Sequence, residues 1–142
     1  METDEMKIDV PQLERELTAY FGGILKLEPD AGIYRGGVPA KVPCGVAVFV
    51  DKRITDNTIN FPMFEVQLLG KFATRDEAWE MLLLLDETLP AWGEKTPSYL
   101  LVSMEKRGDS IGPYTASDDG TLKHYASCNI LLSLLTLDSI DK

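Results

Sequence analysis

The side chains best suited to nucleophilic chemistry in this chain are His124, its single histidine, and two cysteines, Cys44 and Cys128. Nucleophilic catalysis requires a base beside the nucleophile and donors for the oxyanion. His124 and Cys128 are four residues apart in a predicted strand, which places them on one face but about 13 Å from each other. Because a proton cannot pass directly over that distance, we predict that they form no catalytic dyad and that His124 is structural.

The sequence lacks the residue patterns that a metal site or a phosphate-binding cofactor site would need. Two cysteines and one histidine leave a zinc site short of ligands. The glycines form neither the GxGxxG nor the GxxxxGK pattern of phosphate-binding loops. Gly32, Gly36 and Gly37 approach a glycine-rich loop but lack its lysine and its position between a strand and a helix. We therefore predict no metal site and no cofactor site.

Three groups of neighbouring acids could supply carboxylates for acid–base catalysis: Glu14 with Glu16, Asp76 with Glu77, and Asp118 with Asp119. The first two groups fall in the early turns of predicted helices, where negative charge complements the helix dipole. The third precedes a glycine in a predicted turn, where aspartate is common. A structural role accounts for each group, so we predict no catalytic residue and expect a protein that is not an enzyme. A small enzyme with a site of scattered carboxylates is an alternative that motifs do not test.

The charge balance disfavours nucleic acid and anionic membranes as partners. The chain has 23 acidic and 14 basic side chains and a formal net charge of −9. Its adjacent basic residues are limited to the pairs Lys52-Arg53 and Lys106-Arg107, without interleaved aromatics. Phosphate binding requires a basic patch. We therefore predict no direct nucleic-acid binding, while an acidic surface near DNA would repel the duplex.

The sequence carries no pattern that indicates export or membrane insertion. Residues 1–5 are acidic where a secretory leader is basic and then apolar. The longest apolar stretches, 46–50 and 81–85, are too short to cross a bilayer. We therefore expect a protein made and kept in a cytoplasm with reduced cysteines, and a disulfide between them is the alternative.

Two main helices are predicted from their start signals. Asp9 can cap a helix over 10–25, along which apolar residues repeat on one face. Thr74 and Glu77 have the spacing of a capping box that opens a second helix over 75–89.

The strands are predicted from β-branched and alternating residues, with a short strand at 33–35 and main strands at 45–50, 64–72, 98–105 and 121–137. Residues 51–62 and 108–120 are rich in polar and turn-forming residues and are predicted to be loops. This order predicts a single α+β domain over residues 1–142, with an antiparallel β-sheet flanked by two main helices in α-β-β-β-α-β-β order.

Two apolar surfaces extend beyond what one core requires. In the second helix, Trp79, Leu83 and Leu84 widen the apolar stripe, which indicates either a deeply buried helix or a contact with a neighbouring subunit. Apolar side chains also occur near the end of the last strand, on its otherwise polar face: Leu131, Leu135 and Leu137. A patch there would suit subunit packing.

Two parts of the chain resemble a known family. Residues 64–71 (Phe-Glu-Val-Gln-Leu-Leu-Gly-Lys), followed by the second helix, resemble the strand-and-helix core of phage minor capsid and tail terminator (tail completion) proteins. Residues 111–114 (Ile-Gly-Pro-Tyr), then 118–120 (Asp-Asp-Gly) and a long last strand, resemble the final loop and strand of that family. The resemblance covers roughly residues 8–137.

The resemblance implies a structural virion protein at the head–tail junction of a long-tailed phage or prophage, assembled in the bacterial cytoplasm. Tail terminators cap the tail tube as a six-membered ring, so the implied partners are further copies of the chain, the tail tube and the head–tail connector proteins. We expect loops 51–62 and 108–120 to contact these neighbours, and the second helix and the end of the last strand to form the ring interface. The alternative is a cytosolic protein-binding adaptor or immunity-type module that forms no ring.

Overall fold

A computed structural model of the chain describes residues 8–54, 61–118 and 120–140. Its two long helices begin at the capping residues that the sequence indicates. Helix α1 (Val10–Leu25) follows Asp9, whose side chain accepts the Gln12 N–H at 3.1 Å. Helix α2 (Arg75–Thr88) opens with a complete capping box, in which Thr74 and Glu77 each accept the other's backbone N–H. Both predicted helices are confirmed to within one residue.

The strands form one seven-stranded sheet: β1 (Ile33–Arg35), β2 (Gly45–Ile54), β3 (Met63–Phe72), β4 (Ala91–Lys95), β5 (Tyr99–Lys106), β6 (Ile111–Asp118) and β7 (Thr121–Thr136). Their order is β1-β2-β3-β7-β5-β4, and β6 also pairs with β7. Every pairing is antiparallel except that of β1 with β2. The predicted α+β class and the antiparallel sheet are therefore confirmed, with one parallel pair at the edge.

Both long helices pack on the same face of the sheet. Helix α1 lies against β1 and β2, and α2 lies against β3, β7 and β6. The core between them contains fully buried side chains from both helices and the central strands, among them Leu13, Leu17, Leu85, Leu68, Ile130 and Leu132. Gly70 allows this close packing, because a Cβ at that position would lie 2.9 Å from the sulfur of Met81 in α2.

The prediction of a loop over 108–120 is wrong. Residues 111–118 are strand β6, which pairs with β7 from Ile111↔Ser127 to Asp118↔Thr121. Strands β5 and β6 pair with successive parts of β7. Between these two ladders the Arg107 N–H bonds the Asn129 carbonyl at 2.8 Å, so hydrogen bonding continues along most of β7. The glycine, proline and serine residues of this segment have low strand propensity, but hydrogen bonding to β7 stabilises the extended conformation in spite of it.

The other differences concern strand ends and one additional strand. Residues 51–54 continue β2 beyond a bulge, so the predicted loop begins later, and residues 55–60 lie outside the described part. Strand β7 ends at Thr136, and a short helix α3 (Leu137–Ile140) follows, so the predicted strand is one residue too long. The ladder ends there because Thr136 pairs with Tyr99, the first residue of β5. Strand β4 was not predicted, because Pro90 and Gly93 indicate only the end of α2.

Replacing Gly112 by alanine is expected to destabilise the β6–β7 pairing. Gly112 has φ +105°, and a Cβ there would lie 2.5 Å from the Tyr125 carbonyl oxygen, which is backbone and cannot move aside cheaply. We expect a loss of about 2 kcal/mol in the free energy of unfolding, measured by urea denaturation. Gly23 in α1 is the matched control, because a Cβ there meets nothing within 4 Å. Equal effects of the two substitutions would contradict this account.

Candidate interaction surfaces

The side chains considered for catalysis are separated along β7. His124 pairs with Phe72 and Cys128 pairs with Leu68, both at the ladder with β3. The Thr115 hydroxyl lies 3.4 Å from the Nδ1 of His124. Within residues 8–54, 61–118 and 120–140, no three side chains of metal-ligating type cluster together.

Cys128 is a core residue in this fold. Its side chain is buried and belongs to the cluster between the sheet and the helices, while Cys44 is half-buried and both thiols are free. Burial raises the pKa of the Cys128 thiol above its ordinary value, although Ser110 and Lys106 nearby favour the thiolate. A thiol held in the protonated form is a weak nucleophile, so the environment suits packing better than catalysis.

The two thiols are therefore expected to differ in reactivity. In the native protein, an aromatic disulfide reagent should label Cys44 and leave Cys128 unmodified until denaturant is added, because the Cys128 sulfur is shielded by the core. Mass spectrometry of labelled peptides measures the difference, and a Cys44→Ser variant isolates the second thiol. Fast labelling of Cys128 in that folded variant would show an accessible thiolate that this structure does not provide.

The acids of α1 hold the helix to the sheet. Glu14 accepts the Val50 N–H at 2.8 Å and the Arg35 Nε at 2.9 Å, which joins α1 to β2 and β1. Glu16 is buried and accepts hydrogen bonds from residues of α1 and of the turn between β4 and β5. Asp76 and Glu77 lie in the first turn of α2, where Glu77 completes the capping box. These carboxylates are thus engaged in structural roles.

Two clefts beside α1 do not resemble an enclosed ligand site. The cleft between the two helices is apolar, with a volume of about 120 Å³, and has Glu77 and Glu80 at its rim. A larger depression of about 440 Å³ lies beside the end of α1, around Gly22, Gly23 and Lys26. Typical ligand sites enclose about 300–1,000 Å³ and combine apolar walls with a few convergent polar groups. Neither cleft combines that size with such groups.

The side of the sheet opposite the helices is a broad surface of mixed character, here named the open face. The cross-strand register places these residues on it: Phe49, Gln67, Leu69, Asn129, Leu131 and Leu135. All six are only partly buried, and neither α1 nor α2 packs on them. Tyr114 and Tyr125 stack at one end of this face, with ring centroids 5.4 Å apart. A sheet face that lies opposite both long helices, with apolar side chains near its centre, is a candidate for binding another protein.

The open face carries more basic than acidic side chains. Register positions on this face include Lys52, Lys71, Lys95 and Lys123. Glu65 lies in its middle, and Lys52 Nζ and Arg107 Nη1 approach the same carboxylate oxygen at 3.4 and 3.9 Å. Glu105, opposite Leu131, is a second acid at the register positions of this face. The local balance is therefore opposite in sign to the net charge of the chain.

The solvent-exposed side of α2, here named the acidic helix face, has the opposite character. Trp79 and Leu83 are 42% and 54% exposed, and Leu83 is surrounded by exposed acids at helical spacings of three, four and seven residues: Glu80, Glu87 and Asp76. Leu82 and Leu85, in contrast, are buried in the core. Of the two interpretations of this helix, deep burial is wrong for Trp79 and Leu83, which form a surface of their own.

The edges of the sheet are less suited to pairing with another chain. Strand β1 has three residues, and β4 has five, of which Glu94 and Lys95 are exposed charges. Short, charged edge strands oppose edge-to-edge association. The two terminal strands β1 and β4 are therefore less suited to contacts with other proteins than the faces of the sheet are.

No protein-family model matches the sequence, and no curated protein matches it either. In the described part of the chain, no helix is long and apolar enough to cross a membrane.

Proposed function

We propose that this protein is a structural assembly subunit that binds further copies of itself and neighbouring virion proteins, and that it caps the tail tube at the head–tail junction of a long-tailed phage. One observation carries the proposal: apolar side chains of the described residues lie on two different surfaces on opposite sides of one sheet, exposed on α2 and partly buried on the open face. A closed ring needs two different complementary patches on each subunit, whereas a two-fold dimer uses one patch twice.

The positions of the patches agree in part with the interface expected from the sequence. Trp79 and Leu83 lie on the second helix, and Leu131 and Leu135 lie on the open face near the end of β7. Leu137 is no longer part of that surface, because it begins α3. The family resemblance supports the tail-tube partner, and the separate surfaces support self-association in a ring.

Segment 108–120, which the sequence suggests as a contact loop, is mostly strand β6 in this structure. Because β6 forms a ladder with β7, shortening the segment to a tight turn would remove a strand and would test stability as well as binding. The contact with the tail tube and connector proteins, as distinct from self-association, is better tested by single side chains of the hairpin, such as Leu122, which is 66% exposed. The function of residues 55–60 stays a prediction.

The test is an add-back experiment. Tails assembled from the same genome with this gene deleted are purified, mixed with the purified protein and then offered DNA-filled heads. We expect attachment of heads to rise with added protein and to stay low without it. Tails that join heads equally well without the protein would contradict a role at the junction, and so would failure of the added protein to bind tails at all. A monomeric adaptor would show neither tail binding nor self-association.

A further inference from the structure

We propose that the acidic helix face of one copy docks on the open face of the next copy. This inference rests on the proposed function and names the contact that joins neighbouring subunits. The occupant of the open face is then helix α2 of a second copy, with Leu83 and Trp79 directed at the apolar centre formed by Leu69 and Leu131.

Charge complementarity is the first argument for this occupant. Asp76, Glu80 and Glu87 surround Leu83 on the helix. Basic side chains distributed over the open face include Lys52, Lys71, Lys95, Lys123 and Arg107. Opposite charges at the rim of an apolar contact direct encounter and fix its register, and like charges oppose other orientations.

The layer arrangement is the second argument. Helices α1 and α2 both pack on one side of the sheet, and the open face lies on the other side. A 14-residue helix is about 21 Å long, and the ten residues of β3 extend about 33 Å, so the open face can accommodate α2 of another copy. Docking would add a third layer of the kind that covers both faces of many sheets.

The position of the two surfaces decides between a dimer and a larger assembly. Within one copy they lie on opposite sides of the sheet, so one chain cannot bring its own α2 onto its own open face. In a head-to-tail row of copies, the first copy therefore has one of the two surfaces free and the last copy has the other, until the row closes on itself. This contact gives a head-to-tail assembly, which forms the ring of the proposed function when the rotation between neighbouring copies closes and a filament when it does not.

Single-stranded nucleic acid is the competing occupant. The open face combines basic residues with the Tyr114–Tyr125 pair and Phe49, and sheet faces that stack bases use such residues. One observation favours a second copy instead: the chain itself carries, on α2, a surface of matching acidic and apolar character.

The experiment reverses charge on each surface separately and then on both. One variant carries Glu80→Lys and Glu87→Lys, a second carries Lys71→Glu and Lys123→Glu, and a third carries all four changes. Assembly is measured by sedimentation of the free chain over a concentration series and by binding to tails that lack the protein. Thermal unfolding of every variant confirms that it folds. Lys26→Glu with Lys41→Glu is the control for the second variant, since it makes the same change in net charge at exposed lysines outside both surfaces.

We expect each two-site variant to lose assembly by about tenfold or more, the four-site variant to recover it, and the control to assemble like wild type. The inference is overturned if wild type assembles and both two-site variants assemble equally well, which leaves the proposed function standing. It is overturned as well if the four-site variant is no better than its parents, or if an oligothymidine probe binds wild type and loses binding in the Lys71/Lys123 variant. Wild type that neither self-associates nor binds tails would remove the proposed function together with this inference.

Discussion

Replacing Glu16 by alanine should lower the free energy of unfolding by about 3 kcal/mol, because hydrogen bonds to a buried charge contribute about 1.5–3 kcal/mol each. The carboxylate accepts three bonds, from Gln12 Nε2 at 2.6 Å, the Thr96 hydroxyl at 2.6 Å and the Ser98 N–H at 2.8 Å. Its removal leaves the Ser98 N–H and the Thr96 hydroxyl without that acceptor. Urea denaturation measures the loss, and Glu80→Ala on the exposed side of α2 is the control.

The same carboxylate predicts a dependence of stability on pH. Burial alone would raise the pKa of Glu16, but the hydrogen bonds from Thr96, Gln12 and Ser98 outweigh burial, and the pKa lies below its ordinary value of 4.5. Stabilisation by a group with a lowered folded pKa is fully present above the unfolded pKa and is lost as pH falls through the folded one. Wild type should therefore lose stability below about pH 4.5 more steeply than Glu16→Gln does. Parallel curves for the two proteins would contradict the assignment.

Replacing Trp79 and Leu83 together by serine should weaken self-association by about 100-fold or more, because aromatic and apolar side chains at the centre of an interface each contribute about 2 kcal/mol when they are hot spots. In the single chain Trp79 is 42% and Leu83 54% exposed, so stability should fall by no more than about 1.5 kcal/mol per site, about half of what full burial contributes. Sedimentation and urea denaturation measure the two quantities separately.

The control for this prediction is Leu122→Ser on the β6–β7 hairpin. Leu122 is also an exposed leucine but lies on neither the acidic helix face nor the open face. If Leu122→Ser weakened self-association as much as the helix variant, the contact would not be centred on α2. A fall in stability of the helix variant by several kcal/mol would show instead that these residues belong to the core.

Local signals in the sequence were sufficient for the helices and the central strands. Asp9, Thr74 and Glu77 are caps whose partners lie three residues away, so their function is visible within a short window. Alternation along β3 and β7 likewise shows which residues face the helices. Strand β6 is not predictable in this way, because its own residues favour turns and its extended conformation depends on hydrogen bonds to another strand, β7.

The surfaces were only partly predictable for the same reason. Excess apolar residues on α2 and at the end of β7 are visible in the sequence, but the sequence alone does not show whether Trp79 is buried in the core or exposed. The basic character of the open face was not apparent, since Lys52, Lys71 and Arg107 are far apart in sequence and meet only through the sheet register. Glu16 was recognised as an acid near a helix start, whereas its partners Thr96 and Ser98 lie about 80 residues away.

The most direct measurement is the mass of the protein on purified tail tubes that lack it. After addition and removal of unbound chain, the account predicts one ring at a single end of each tube, with a mass several times the 15.8 kDa of one chain. Mass photometry of the released ring and electron microscopy of the tube end supply the two readings. Bound protein of 15.8 kDa only, or no protein at the tube end at any concentration, would contradict the account.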